Sequence, residues 1–269
     1  MDLSKSVQLI LRSILKKSLG IRYGVAGITF RKSSQHENLE KLRDAWAGQP
    51  AVIVANGPSL NRTPLDEFIG ANSIGMNKID LIYSRVKWRP DFVLCANNLV
   101  ARQNQQAWAD AGIPVIVSWK CRRRIRSQLR DSFSYFLSLP SREFSVDVVN
   151  GVGSAGTVTY TALQFAYFTG ADPVIIVGAD HSFAGLKKGK ENLIEKREGP
   201  DVDHFDPNYF ADGQYWGVPN LALSELAYEL ARKSFESDGR RIYDATLGGK
   251  LTVFEKIEMA DAIRMVQSI

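Results

Sequence analysis

The strongest constraint on the fold is a repeated grammar, in which a short apolar run stops abruptly at a small polar residue. Ala51-Val52-Ile53-Val54-Ala55 stops at Asn56-Gly57-Pro58-Ser59, Asn72-Ser73-Ile74-Gly75-Met76 stops at Asn77, and Asp91 to Ala96 stops at Asn97. Pro173 to Val177 repeats the pattern and ends at Gly178-Ala179-Asp180-His181. Apolar runs without alternation predict strands buried on both faces. Ile113 to Val117 and Arg241 to Tyr243 read as further strands, and Val146 to Asn150 as a weaker one. Helical periodicity or capping signals fall between them, at residues 37–47, 99–111, 157–169, 220–237 and 253–266, with a short helix after Thr63-Pro64-Leu65-Asp66. Strands alternating with helices predict an α/β fold, a mostly parallel sheet with helices on both faces.

With 269 residues and 45% apolar composition, the chain can bury one substantial core. The expected organisation is a basic helical extension over 1–48 and a single α/β domain over 49–269. The stretch from about 183 to 218 has no sustained periodicity and is expected to be a lid over the site. Cys95 and Cys121 are too far apart in sequence for a disulfide framework or a metal cluster, which suits a reducing cytoplasm. No run approaches the roughly 18 apolar residues of a membrane span, and a signal peptide is not expected.

A net charge of +5 and a pI near 9.1 suit an anionic partner. Leu3, Val7, Ile10, Leu11, Ile14 and Leu15 recur at helical spacing with Lys5, Arg12, Lys16 and Lys17 between them. Residues 1–19 therefore predict an amphipathic helix able to lie on an anionic membrane surface. The run from Lys120 to Arg126 lacks the interleaved aromatics of a single-strand binding face, so nucleic acid is not the expected partner.

In an open parallel sheet the ligand site lies outside the carboxyl ends of the strands. Asn56, Asn77, Asn97 and Asp180 are thus expected to converge on one crevice, where asparagine can both donate and accept hydrogen bonds. Gly151-Val152-Gly153-Ser154-Ala155-Gly156 precedes a helix and has the form of a dinucleotide fingerprint, with Asp180 at the spacing of a ribose-binding acid. Its late place in the chain and the polar strand before it argue against a nicotinamide site, but a helix N-terminus there still suits phosphate. No P-loop is present; Gly185 to Lys190 lacks its spacing and hydroxyl. Asp201-Val202-Asp203 has the D-x-D form of a metal-binding pair. His204, in Asp203-His204-Phe205 within the presumed lid and near aromatics, is the candidate general base, with His181 the other candidate.

Val54-Ala55-Asn56-Gly57-Pro58-Ser59-Leu60 resembles the N-G-P-S-L signature of bacterial sialyltransferases of glycosyltransferase family 42 and of the related DUF115 proteins. Gly75 to Ile79, Trp88 to Asp91, Gly153 to Gly156, Val177 to Asp180, His204-Phe205 and Ile242 to Thr246 follow in the family's order. The resemblance implies a Rossmann-like, sialyltransferase-like fold and an inverting transfer of an acidic sugar, a nonulosonate or Kdo-like, from a CMP-activated donor. The expected acceptor is a lipid-linked glycan of lipopolysaccharide or capsule synthesis, at the cytoplasmic face of the membrane.

By the same resemblance, Asn56, Gly57 and Ser59 contact the nucleotide phosphate and ribose, and Asn77 and Asn97 hold the ribose and sugar. Gly153, Ser154 and Gly156 receive phosphate or the sugar carboxylate, Tyr209 and Tyr215 stabilise the leaving phosphate, and His204 is the base; Asp180 is counted with these catalytic residues. No cofactor or metal is expected. The family's histidine stands closer to the following helix, where this chain has Tyr215-Trp216. A pterin diphosphokinase-like pyrophosphoryl transferase is the alternative; it would use ATP and magnesium, with Asp180, Asp201 or Asp203 as metal ligands.

Overall fold

The computed structural model describes residues 24–184, 191 and 193–267. The amphipathic pattern of residues 1–19 and the Gly185 to Lys190 stretch lie outside the described residues.

Each of the short apolar runs singled out above forms a strand: β1 (Ala51–Val54), β2 (Asn72–Met76), β3 (Phe92–Cys95), β4 (Val115–Ser118) and β6 (Val174–Val177). They join β5 (Ser134–Phe136), β9 (Ile242–Asp244) and β10 (Glu255–Lys256) in one parallel sheet of order β10-β9-β6-β1-β2-β3-β4-β5. All residues of β1, β3, β4 and β6 are buried, as both faces of the sheet's interior strands are covered. The arrangement is the Rossmann-like α/β fold that the alternation predicts.

The chain builds outwards from β1 to β5, then returns to the other side of β1 to lay down β6, β9 and β10. Val54 pairs with Gly75 on β2 and with Val177 on β6, so the polar residues that follow these strands emerge at the same edge.

Helix α1 (Gln35–Glu40) is short, and residues 24–31 before it are also helical. Helices α2 (Asn98–Ala111), α3 (Val158–Phe168) and α4 (Leu221–Ser237) are N-capped by the side chains of Asn97, Thr157 and Asn220. α5 (Met259–Gln267) closes the described chain. Helix α3 is buried along nearly its whole length, lying over β1, β2 and β3 with α4 packed against it. Phe30, Leu39 and Trp46 enter the same core, and the Asp44 and Trp46 amides donate to the carbonyls of Phe168 and Thr169.

Several local expectations are corrected. Val146 to Asn150 is a turn, because the Asp147 carboxylate takes the Val149 amide and the Asn150 side chain; only Val152 reaches a strand-like bridge, with Ser138. The helix expected from residue 253 begins at Met259, after the edge strand β10. The helix expected over 37–47 stops at Glu40 and gives way to turns. The segment after residue 193 is more regular than its lack of periodicity implies: β7 (Ile194–Lys196) pairs antiparallel with β8 (Tyr215–Gly217).

Candidate functional site

The strand order reverses between β1 and β6, which is where an open α/β sheet leaves a crevice. A cleft of about 500 Å³ opens there, at the carboxyl edge. Asn56, Gly57, Asn77, Asp180, His181 and His204 all line it.

Its floor is the junction between the β1 and β6 loops. The Gly57 amide donates to the Gly178 carbonyl at 2.8 Å, and Ser59 donates both its amide and, at 2.6 Å, its hydroxyl to the Asp180 carboxylate. A Cβ on Gly57 would sit 1.9 Å from Asp180 Oδ2 and 2.7 Å from the Gly178 carbonyl oxygen. Only glycine allows the two loops to approach this closely. Asn56 Nδ2 donates to the Met76 carbonyl, and Asn77 adopts φ 52° while its own carbonyl accepts from Trp108 Nε1. The side-chain oxygens of Asn56 and Asn77 are both buried with no hydrogen-bond donor among the described residues. Two unused acceptors at adjacent strand ends suit a ligand that brings hydroxyl or amine donors.

One wall is the N-terminus of α3. Thr157 Oγ1 accepts from the Thr159 amide, whereas the amides of Gly156, Thr157 and Val158 have no acceptor among the described residues. All three residues line the cleft. Free amides at a helix start, reinforced by the helix dipole, form an anion-binding surface.

The opposite wall is the segment from 193 to 218. The Phe205 amide donates to the Asn56 carbonyl at 3.0 Å, and Asn61 Nδ2 donates to the Phe205 carbonyl at 2.8 Å, pinning this segment to the β1 loop. Asp201 is buried and takes four donors: the Arg197 guanidinium, the Asp203 and Phe210 amides, and His204 Nδ1 at 2.8 Å. Burial alone would raise the Asp201 carboxyl, but the bond and charge of His204, with Asp203 and Arg197, outweigh it and hold the group at about 2. Asp203 accepts from the Ala184 amide and, at 2.8 Å, from Arg197.

His204 stacks on Tyr209, ring centroids 4.0 Å apart and planes parallel, with Phe183 and Phe210 at its edges. Nε2 is the ring nitrogen with no partner among the described residues. A carboxylate on Nδ1, stacked aromatics and a free Nε2 are the parts of an oriented general base. Beneath this wall the buried Lys78 ammonium donates to the Tyr209 carbonyl at 2.6 Å and to Gln214 Oε1 at 3.1 Å. Burial pushes Lys78 down to about 8, against the pull of Asp80 and Asp201.

No family model and no curated protein matches the chain. Among solved structures, the MAf glycosyltransferase from Magnetospirillum magneticum AMB-1 is similar, with a TM-score of 0.49 and 15% identity, over 87% of this chain and 42% of that one. This chain thus spans less than half the length of that protein.

The structure brings together Asn56, Gly57, Asn77, Asn97, Ser154, Gly156, Asp180, His204 and Tyr209 around one cleft. It gives several of them different work from that expected. Asn97 Oδ1 is occupied in capping α2 through the Leu99 and Val100 amides. Ser59 ties the loop to Asp180. The Gly153 amide is used by Gln164 Oε1, a Cβ there would meet the Glu143 carbonyl at 1.9 Å, and the Ser154 amide donates to Ser141. Gly153 is therefore a packing glycine, and the amides without an acceptor among the described residues lie further on, from Gly156 to Val158.

Tyr209 presents a ring to His204, while its hydroxyl is buried and burial raises it well above the ordinary phenol range. Tyr215 is half exposed on β8 and does not line the cleft; its neighbour Trp216 does. Both carboxylates of the D-x-D pair are held by Arg197. Sequence reasoning missed Asp201 as the partner of His204, although the D-x-x-H spacing was visible. It also missed Glu225, which lies 2.9 Å from His181 Nε2, and Lys78, whose partners are distant in the chain.

Proposed function

We propose that this chain is a glycosyltransferase that moves a sugar from a nucleotide-activated donor to an acceptor hydroxyl. The observation that carries the reading is the convergence, on one cleft at the sheet's reversal, of the free amides of Gly156 to Val158 and the oriented imidazole of His204. The amides suit the donor's phosphate, and the unused Asn56 and Asn77 oxygens suit ribose or sugar hydroxyls. In the transfer, the acceptor oxygen forms a bond to the anomeric carbon as the bond from that carbon to the phosphate oxygen breaks. The acceptor proton passes to His204 Nε2, and Asp201 stabilises the imidazolium that results. The electron pair leaves on the nucleotide phosphate, where helix amides stabilise the growing charge.

Attack from the face opposite the leaving group inverts the anomeric centre. The N-G-P-S-L resemblance supports a CMP-linked acidic sugar as donor and a metal-independent reaction, with a lipid-linked glycan of surface polysaccharide synthesis as acceptor. The pyrophosphoryl alternative would draw its metal ligands from Asp180, which is tied to Ser59, or from Asp201 or Asp203, which are held by Arg197.

A thermal-shift panel of CMP, CDP, UDP, ADP, ATP and NAD, each with and without magnesium, tests the reading. Saturating CMP at about a hundred times its Kd should add roughly 2.7 kcal/mol of stability without magnesium. His204→Ala should retain that shift while transfer falls by about 10²- to 10⁴-fold. Stabilisation by ATP only with magnesium, or by NAD, would overturn the donor assignment. Near wild-type transfer by His204→Ala would remove His204 as the base and turn attention to His181.

A further inference from the structure

The helix of residues 24–31 is seated on Trp119. The Phe30 and Trp119 rings meet edge to face at 5.5 Å, and Trp119 Nε1 donates to Thr29 Oγ1 at 3.3 Å. At about 100° per residue, Thr29 falls between Phe30 and Val25 around the helix, and Ile28 lies just beyond Val25. Val25 and Ile28 are 53% and 57% exposed, so an apolar edge runs alongside Trp119. Two exposed aliphatics alone would be ordinary; their neighbours give them meaning.

Trp119 opens a 3-10 turn that runs to Arg124. Three residues per turn set Arg122 above Trp119, its guanidinium carbon 5.2 Å from the ring, and align Lys120 with Arg123. Cys121 points into the core, and Lys120 lines the cleft. Arg123, Arg124 and Arg126 are exposed, as are Arg31 and Lys32 at the end of the helix. Among the described residues none of Arg31, Lys32, Lys120, Arg122, Arg123, Arg124 and Arg126 forms an ion pair, whereas Arg43, Arg85, Arg197 and Arg240 each have at least one. The described chain begins at this face, and the sequence before it carries Lys5, Arg12, Lys16, Lys17 and Arg22.

An apolar edge flanked by unpaired cations matches a lipid interface, where aliphatic groups enter the acyl boundary and arginine pairs with phosphate headgroups. We propose that the face formed by Val25, Ile28, Arg122, Arg123, Arg124 and Arg126 docks on an anionic phospholipid bilayer and holds the Lys120 end of the cleft at its surface. The inference does not depend on which group the cleft transfers. Its residues all lie within the described fold, apart from the amphipathic pattern of residues 1–19.

The test is flotation of the full chain with phosphatidylglycerol–phosphatidylcholine vesicles and with pure phosphatidylcholine vesicles. Wild type should float only with the anionic vesicles. Full-length Arg122→Gln/Arg123→Gln/Arg124→Gln and Val25→Glu/Ile28→Glu should each lose about ten-fold or more in partitioning, with circular dichroism and nucleotide thermal shifts unchanged. Equal binding to neutral vesicles, or wild-type binding by both variants, would overturn the proposal. So would self-association in ultracentrifugation that the glutamate pair abolishes, since the face would then be a contact between copies of the chain.

Discussion

Two regions wall the same cleft and are held by different forces. The β1–β6 junction rests on backbone hydrogen bonds, a close glycine approach and the Ser59 to Asp180 tie. The segment from 193 to 218 rests on buried charge: Arg197 between Asp201 and Asp203, and His204 on Asp201. Neutral backbone contacts hold across pH and salt, whereas a buried ion network depends on every partner being present and correctly charged. The β1–β6 side of the cleft is thus held mainly by close backbone packing, and the His204 side mainly by buried charge.

Arg197→Met is the sharpest way to break that comparison. It leaves two carboxylates, both nearly inaccessible, without their cation, a loss of about 3–5 kcal/mol when a buried pair is broken. The segment can open before the rest of the fold, so the damage should appear locally. Limited proteolysis should cut within 193–218 much faster than in wild type, transfer should be lost with the orientation of His204, and CMP stabilisation should persist. Proteolysis at the wild-type rate would show that backbone bonds such as Phe205 to Asn56 hold the segment by themselves.

Gly57→Ala probes the opposite region. Rotation of Asp180 could relieve the 1.9 Å approach to its carboxylate only by breaking the Ser59 tie, and the Gly178 carbonyl at 2.7 Å is backbone. Overpacking of this kind costs about 1–3 kcal/mol. The loss should appear in global urea unfolding and in nucleotide binding together, with no selective cutting of 193–218. An unfolding midpoint equal to wild type would mean that the two loops separate freely.

These two regions also differ in how far the sequence reveals them. The junction is written locally: an apolar run, a glycine after it and a polar terminus predict a strand, a tight approach and a crevice, and β1, β2, β3 and β6 appear where that pattern sets them. The glycines were harder to read, since the same G-x-G-x-x-G string contains Gly153, which packs against Glu143, and Gly156, which opens the helix N-terminus. The charged segment is written non-locally. Lys78 finds Tyr209 and Gln214 more than a hundred residues away, and no periodicity in either stretch announces the pairing. Edge strands β5 and β10 escaped for a related reason: Ser134-Tyr135-Phe136 and Glu255-Lys256 are too short to make an apolar run.

Lys78 offers the finest test, because its sign runs against intuition for an amine that fastens a segment. Burial lowers it from 10.5 to about 8, so the folded state disfavours the charged form. Below pH 8 both folded and unfolded chains carry the proton, and the full burial penalty is present. Between about 8 and 10.5 the unfolded chain binds more protons than the folded one, so this group's contribution to stability rises with pH. Neutral Lys78 still donates to the Tyr209 carbonyl. The unfolding free energy of wild type relative to Lys78→Met should therefore increase by on the order of 1–2 kcal/mol from pH 7.5 to 10, measured by urea titration at each pH. A decrease over that range would mean that the charged ammonium is the form that fastens the wall, placing the segment's hold on the same electrostatic footing as the Arg197 network.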